Sequence, residues 1–263
     1  MYNHECSVTA DYIRGYFFEN TRIKELNMTK TELAAMIDHT ILTPNVKTSK
    51  VETLCNEAKE NGFASVCVNP SFVSLASSIL SETPVKVCTV IGFPLGAVPT
   101  EDKVCETEHA VQNGADEVDM VIDINAALEG RLTNISSDIA GVVQAARREG
   151  TKAGRKTTVK VILETCYLDD DTIVDCCQCA KNAGADFVKT STGFGTPKDA
   201  GGKALPNGAT VHHVKLMRET VGPDMGVKAS GGIRDAATAK AMIEAGANRI
   251  GTSSGVNIIA TWK

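Results

Sequence analysis

The chain has 263 residues, 43% of them hydrophobic, with a net charge of -5 and a pI near 5.6. That length suits one large core, and a single α/β barrel takes about 250 residues. The acidic balance, with no Lys/Arg cluster interleaved with aromatics, argues against nucleic acid as a partner. The longest apolar stretches, such as Val159 to Leu163 with Lys160 inside it, fall far short of the roughly 20 residues of a membrane span.

Residues 1–30 carry little strand or barrel pattern and read as an N-terminal extension, helical or mobile, outside a single domain spanning 31–263. A first strand is expected near Ile37 to Leu42, then a helix from Lys50 to Asn61. Further strands follow at Val85 to Ile91, Thr158 to Glu164 and Gly226 to Ala229. Helical periodicity runs over Thr100–Asn113, Asn134–Glu149, Asp170–Asn182, Ala209–Val221 and Asp235–Ala245. Four segments repeat one pattern: Asn61-Gly62-Phe63-Ala64-Ser65-Val66-Cys67, Asn113-Gly114-Ala115-Asp116-Glu117-Val118-Asp119, Ala183-Gly184-Ala185-Asp186-Phe187-Val188-Lys189 and Ala245-Gly246-Ala247-Asn248-Arg249-Ile250-Gly251. Each glycine stands where a helix ends, in the left-handed position that favours it. Helix, glycine, short loop and strand, repeated, imply a parallel sheet. Eight alternations fit a closed (β/α)8 barrel better than an open sheet.

Strand side chains alternate between faces. Val66, Val118, Val188 and Ile250 share one position and are expected to face the helices. Cys67, Asp119, Lys189 and Gly251 hold the next and face the interior, as does Lys228 after Val227. On the fifth strand the same parity turns Lys160 and Glu164 inward. Interior charges cost much unless paired. One reading is a structural ion-pair network. The other is an active site, because Asp119, Lys189 and Lys228 fall toward the strand ends where this fold does chemistry. Three inward lysines with few acids overfill a purely structural scheme. A lysine amine among like charge and apolar walls can attack a carbonyl and form an iminium, an electron sink for carbon–carbon cleavage. A second lysine and a carboxylate can move protons.

Glycine-rich turns follow the late strands: Thr190-Ser191-Thr192-Gly193-Phe194-Gly195, Ser230-Gly231-Gly232-Ile233-Arg234 and Gly251-Thr252-Ser253-Ser254-Gly255. Bare backbone N–H groups there can cradle a phosphate. Arg234 reads equally as a phosphate contact or the start of a solvated helix. The nine cysteines are an odd count without a secretory h-region. Most sit in apolar segments (Cys67, Cys88, Cys166), which suits free thiols in a reducing, cytoplasmic setting. Cys176 and Cys179 could share a helix face, but no second pair stands at metal-binding spacing, so no metal is expected.

At these residues the chain resembles the deoxyribose-phosphate aldolase family from about Ile37 to Val256. The motifs that carry the likeness are Asp38-His39-Thr40, Val90-Ile91-Gly92-Phe93-Pro94-Leu95-Gly96, Glu117-Val118-Asp119-Met120-Val121 and Lys160-Val161-Ile162-Leu163-Glu164-Thr165. Phe187-Val188-Lys189-Thr190-Ser191-Thr192-Gly193-Phe194 is the most specific, joined by Val227 to Arg234 and Arg249 to Ser253. The resemblance implies reversible cleavage of 2-deoxy-D-ribose 5-phosphate to glyceraldehyde 3-phosphate and acetaldehyde, with no metal and no cofactor. It implies that Lys189 forms the Schiff base and that Asp119 and Lys228 act in proton transfer. Gly193, Gly231, Gly232, Gly251, Ser253 and Ser254 would surround the phosphate. The expected partner is a small phosphosugar substrate, and barrels of this kind often pair as homodimers.

Asp123 and Asn125 depart from the Asn and Gly more usual in compact members. His212 and His213 stand on a helix where acids are more usual, and read as solvated residues. Cys67 reads as a structural thiol, with reaction toward product aldehyde the alternative. Two other readings of the chain remain: another phosphosugar lyase or isomerase on the same scaffold, and a non-catalytic phosphosugar-binding barrel.

Overall fold

A computed structural model describes residues 28–263. The expected N-terminal extension therefore lies outside the described residues, apart from its last three. Helix α1 (Lys30–Ala34), closed by a capping box between Thr29 and Glu32, leads into β1 (Ile37–Ile41). Then follow α2 (Thr48–Asn61), β2 (Ser65–Val68), α3 (Val73–Leu80), β3 (Lys86–Ile91), α4 (Thr100–Gln112) and β4 (Glu117–Val121). The second half holds α5 (Ile124–Leu128), α6 (Leu132–Lys152), β5 (Thr158–Ile162), α7 (Asp170–Asn182), β6 (Phe187–Lys189), α8 (Val211–Val221), β7 (Gly226–Ser230), α9 (Ala236–Glu244), β8 (Arg249–Thr252) and α10 (Gly255–Thr261). All eight strands are parallel and close into one barrel in sequence order, with β8 returning to β1. The expected barrel is the observed one.

The repeated glycines end helices as the pattern requires. Gly62, Gly114, Gly184 and Gly246 have φ of 67°, 109°, 80° and 110°. The residue after each donates its N–H back into the last helical turn, as in Ala115 to the Ala110 carbonyl at 3.0 Å. The chain leaves each helix at a fixed angle and enters the next strand in the same phase. Consequently Val66, Val118, Val188, Val227 and Ile250 are all buried in the core between barrel and helices. Their neighbours point inward.

Two departures have local causes. Strand β5 ends at Ile162 rather than Glu164, because Glu164 takes a left-handed conformation (φ 57°, ψ 57°). Helix α3 was not expected from periodicity; its window is short, apolar and rich in serine, which blurs a 3.6-residue repeat.

Register then places the interior groups. Asp119 pairs with Lys160 across β4 and β5, and Lys189 with Lys228 across β6 and β7. At the opposite end of β7, the space beside Gly226 is filled by the Phe187 ring; a Cβ there would lie 2.1 Å from the ring Cδ1. Gly226→Ala should therefore cost about 1–3 kcal/mol by overpacking. Urea unfolding checks this, and an unchanged midpoint would show that the ring yields freely.

Candidate active site

The barrel interior holds a charge network built on one carboxylate. Asp119 is wholly buried. Its Oδ2 accepts hydrogen bonds from Lys189 Nζ at 2.8 Å and Lys228 Nζ at 2.7 Å. Its Oδ1 accepts from Lys160 Nζ at 2.8 Å and from the Cys88 thiol at 3.2 Å. Lys228 Nζ also lies 2.5 Å from Asp38 Oδ2. Lys160 Nζ lies 2.6 Å from Glu117 Oε2, and Arg249 joins Glu117 to Asp38 at 2.7 and 2.8 Å.

The structure thus brings Lys189, Lys228 and Asp119 together, and corrects the expectation of few acids. Three carboxylates (Asp38, Glu117, Asp119) face four cations (Lys160, Lys189, Lys228, Arg249). Asp38, Glu117 and Arg249 went unassigned, although alternation could have found them. Asp38 lies one residue before outward His39, Glu117 two before Asp119, and Arg249 two before Gly251.

Burial would raise the carboxylic pKa of Asp119, but the ammonium groups of Lys160, Lys189 and Lys228 hold it well below the usual range. Burial opposes Asp38 in the same way, and Lys228, Arg249 and Lys160 keep it ionised. For Lys228, burial favours the neutral amine, yet Asp119 and Asp38 prevail and its pKa rises. The Asp119, Glu117 and Asp38 carboxylates likewise outweigh burial at Lys160.

Of these groups, only Lys189 lines the cavity at the C-terminal mouth of the barrel. It is 3% exposed, whereas Lys160 and Lys228 are 0% exposed. The cavity measures about 160 Å³, below the roughly 300–1,000 Å³ of drug-sized ligand sites, and so suits a small substrate. Thr40, Leu42, Thr192 and Ser230 lie on its wall. Phe93 and Phe194 meet edge to face nearby, with ring centroids 5.4 Å apart.

The glycine turns converge on the same cavity. Gly193, Gly231, Gly232, Gly251 and Ser253 line it, and so does Arg234. Ser254 does not. Its N–H is bonded to Thr252 Oγ1 at 2.9 Å, and the residue borders a separate groove with His39 and Glu57. Gly231 and Gly208 pack backbone to backbone and neither has room for a side chain: a Cβ at Gly231 would lie 2.9 Å from the Gly208 Cα, and one at Gly208 2.2 Å from the Gly231 carbonyl oxygen. Gly208 was missed, its only sequence signal being the Asn207-Gly208 turn dipeptide.

Glu164 anchors the β6 turn. Its carboxylate accepts from the Thr192 N–H at 3.2 Å and from the Thr192 hydroxyl. Burial pushes its pKa up against those bonds. Among the described residues it is the one non-glycine with positive φ, a strain of about 1–2 kcal/mol that holds the carboxylate over the turn.

The remaining expectations divide. Asp123 caps α5 by accepting from Ala126 N–H at 3.1 Å, so its departure from the family pattern is a helix start. Cys67 is buried against Cys88 and Val90 and does not line the cavity, as the structural reading has it. Cys166 is only half-buried, in the turn after β5, rather than inside an apolar segment. Cys176 and Cys179 are core thiols of α7; burial pushes Cys176 up to about 12.

The ionised network has a pH signature. Asp38 and Asp119, with depressed pKa values, add stability above their unfolded pKa of about 3.9 and lose it as pH falls further. Lys160 and Lys228, with raised values, add stability below about 10.4 and lose it as pH rises through their folded values. The contribution of these four groups should be level in between. Asp38→Asn should cost about 3–5 kcal/mol at neutral pH, because it leaves two buried carboxylates, Asp119 and Glu117, to balance four cations, and should flatten the acid limb. A variant melting like the parent at every pH would remove Asp38 from the network.

The DeoC/LacD family aldolase model matches residues 33–261. A deoxyribose-phosphate aldolase of Thermoanaerobacter sp. is 57% identical over 230 residues, covering 88% of this chain and 96% of that protein. One from Thermococcus gammatolerans is 53% identical over 234 residues, covering 88% and 97%. The solved deoxyribose phosphate aldolase of Aeropyrum pernix superposes with a TM-score of 0.77 at 35% identity, covering 88% of this chain and 91% of that one. With a closed barrel, a lysine at the wall of its mouth and a match over nearly all described residues, the chain belongs to the DeoC/LacD family of aldolases.

Proposed function

We propose that the chain is a metal-independent Schiff-base aldolase that reversibly cleaves 2-deoxy-D-ribose 5-phosphate to D-glyceraldehyde 3-phosphate and acetaldehyde. One observation carries the reading. Lys189 and Lys228 share Asp119 Oδ2, and of the two amines only Lys189 opens on the cavity.

The neutral Lys189 amine attacks the C1 aldehyde of the open-chain sugar, and loss of water gives an iminium. The C3 hydroxyl then gives up its proton while the C2–C3 bond breaks. C3 becomes the aldehyde of glyceraldehyde 3-phosphate, and the bonding pair flows through C2 to the iminium nitrogen, leaving an enamine. Protonation at C2 and hydrolysis release acetaldehyde and restore the amine. A proton leaving Lys189 meets Asp119 Oδ2, with Lys228 on the same oxygen. Proton transfer in this reading runs along that shared acceptor, since Lys228 has no surface on the cavity. The turns of Gly193, Gly231, Gly232, Gly251 and Ser253 offer N–H groups to the phosphate. Ser254, whose N–H is taken by Thr252 Oγ1 and which does not line the cavity, is left out of that end.

Borohydride reduction in the presence of substrate should leave an adduct on Lys189, found by mass spectrometry and absent from Lys189→Leu. Lys228→Leu should lower turnover at least about 100-fold with the fold intact by circular dichroism. Chelators should leave turnover unchanged. Activity without any adduct, or turnover abolished by chelation, would favour a different phosphosugar lyase or isomerase; an adduct-free, inactive barrel would be a binding protein.

The expected homodimer belongs to the same proposal. The Aeropyrum pernix relative is described as tetrameric, which supports self-association. Among the described residues no helix is long and apolar enough to cross a membrane. A cytoplasmic setting, which the free thiols favour, completes the reading.

A further inference from the structure

Helices α7 and α8 bring together three side chains that the carbon–carbon chemistry does not use. Asp170 opens α7, while His212 and His213 stand in the first turn of α8. His212 Nε2 lies 2.9 and 2.8 Å from the two carboxylate oxygens of Asp170. One ligand atom from each of the three residues lies within 4.8 Å of the other two. The two rings are 5.4 Å apart. His213 Nδ1 is buried without a hydrogen-bond partner. The Asp170 and His212 side chains are 54% and 64% exposed, so their contact alone contributes about 0–1 kcal/mol.

We propose that Asp170, His212 and His213 form a binding site for a borderline divalent metal ion of the zinc, cobalt or nickel type, with water completing its coordination. Imidazole and carboxylate donors bind such ions at about 2.0–2.2 Å, which sets tetrahedral edges of about 3.3–3.5 Å. The Asp170–His212 spacing is already shorter than that edge, and exposed side chains can open or close by the remainder. Two imidazoles select against magnesium and calcium, which prefer oxygen alone. Asp169 and Asp171 flank Asp170 on the same exposed turn and add negative potential for a cation.

The ligands come from two helices, 42 residues apart in sequence. The ion would clamp the start of α7 to the start of α8. Each start leads back to the cavity: α7 follows the Glu164 turn that grips Thr192, and α8 follows Gly208, which packs on Gly231. The site lies outside the cavity and braces its rim without entering the reaction.

Calorimetric titration of the full chain with zinc chloride, and visible absorption with cobalt(II), test this. One ion per chain is expected. Affinity should fall at least about tenfold in His212→Ala and in Asp170→Asn, and zinc should raise the melting temperature of the parent but not of these variants. Both substituted side chains are exposed, and circular dichroism verifies the fold. Cys105 and His109, 3.8 Å apart on α4, form another exposed pair; the Cys105→Ser/His109→Ala double variant should bind as the parent does. Absence of zinc binding, or parental affinity and thermal shift in both His212→Ala and Asp170→Asn, would overturn the proposal.

Discussion

The Asp119 carboxylate is the constraint around which the barrel interior is arranged. A buried carboxylate without partners would be neutralised or expelled. Here it is surrounded by three ammonium groups and a thiol, supplied by β3, β5, β6 and β7. Those ammonium groups would in turn be too costly without Asp38 and Glu117 behind them. The two structural explanations that sequence alternation leaves open are therefore not rivals. An ion-pair network fills the floor of the barrel, and the same network presents one of its amines to the cavity. Asp119 belongs to both.

Fold was legible because its signals are periodic. Gly62, Gly114, Gly184 and Gly246 mark four helix ends at equivalent places, and the valine or isoleucine four residues on marks the outward face each time. Lys189, Lys228 and Asp119 were legible as neighbours from the same alternation, while the choice of Lys189 as nucleophile rested on resemblance. Contacts set by tertiary packing were not legible. Nothing in the local sequence says that Lys103 on α4 is wholly buried, with its Nζ 2.5 Å from Asp138 of α6. Nor does it say that Thr252 ties down the Ser254 N–H and turns that serine away from the cavity. Asp38 and Arg249 sat at readable positions, but at the opposite end of the strands from where chemistry is sought, and were passed over.

The rim is held differently from the floor. Below, long charged side chains meet in a closed interior. Above, short polar groups and bare backbone do the work: Glu164 holds Thr192, Asn207 Nδ2 donates to the Gly195 carbonyl at 2.7 Å, and Gly208 lies against Gly231. The connection from β6 to α8 is long enough to carry its own small hairpin, with Lys198 and Ala204 bridged. Its base is fixed by Asn207 and by the Ala209 N–H, which donates to the Ser230 and Gly231 carbonyls at 3.0 and 3.1 Å. The glycine turns at the cavity are thus defined by loops that brace one another rather than by strands.

The graded depth of the three interior lysines also has a consequence for reagents. An electrophile small enough to enter the mouth meets a single interior amine, because Lys160 and Lys228 offer no surface at all. Selectivity among those amines follows access, and the carboxylates that hold Lys160 and Lys228 protonated act in the same direction. A carbonyl-directed covalent label shaped to this cavity would accordingly discriminate by reach, and the barrel acts as its own protecting group for the other two.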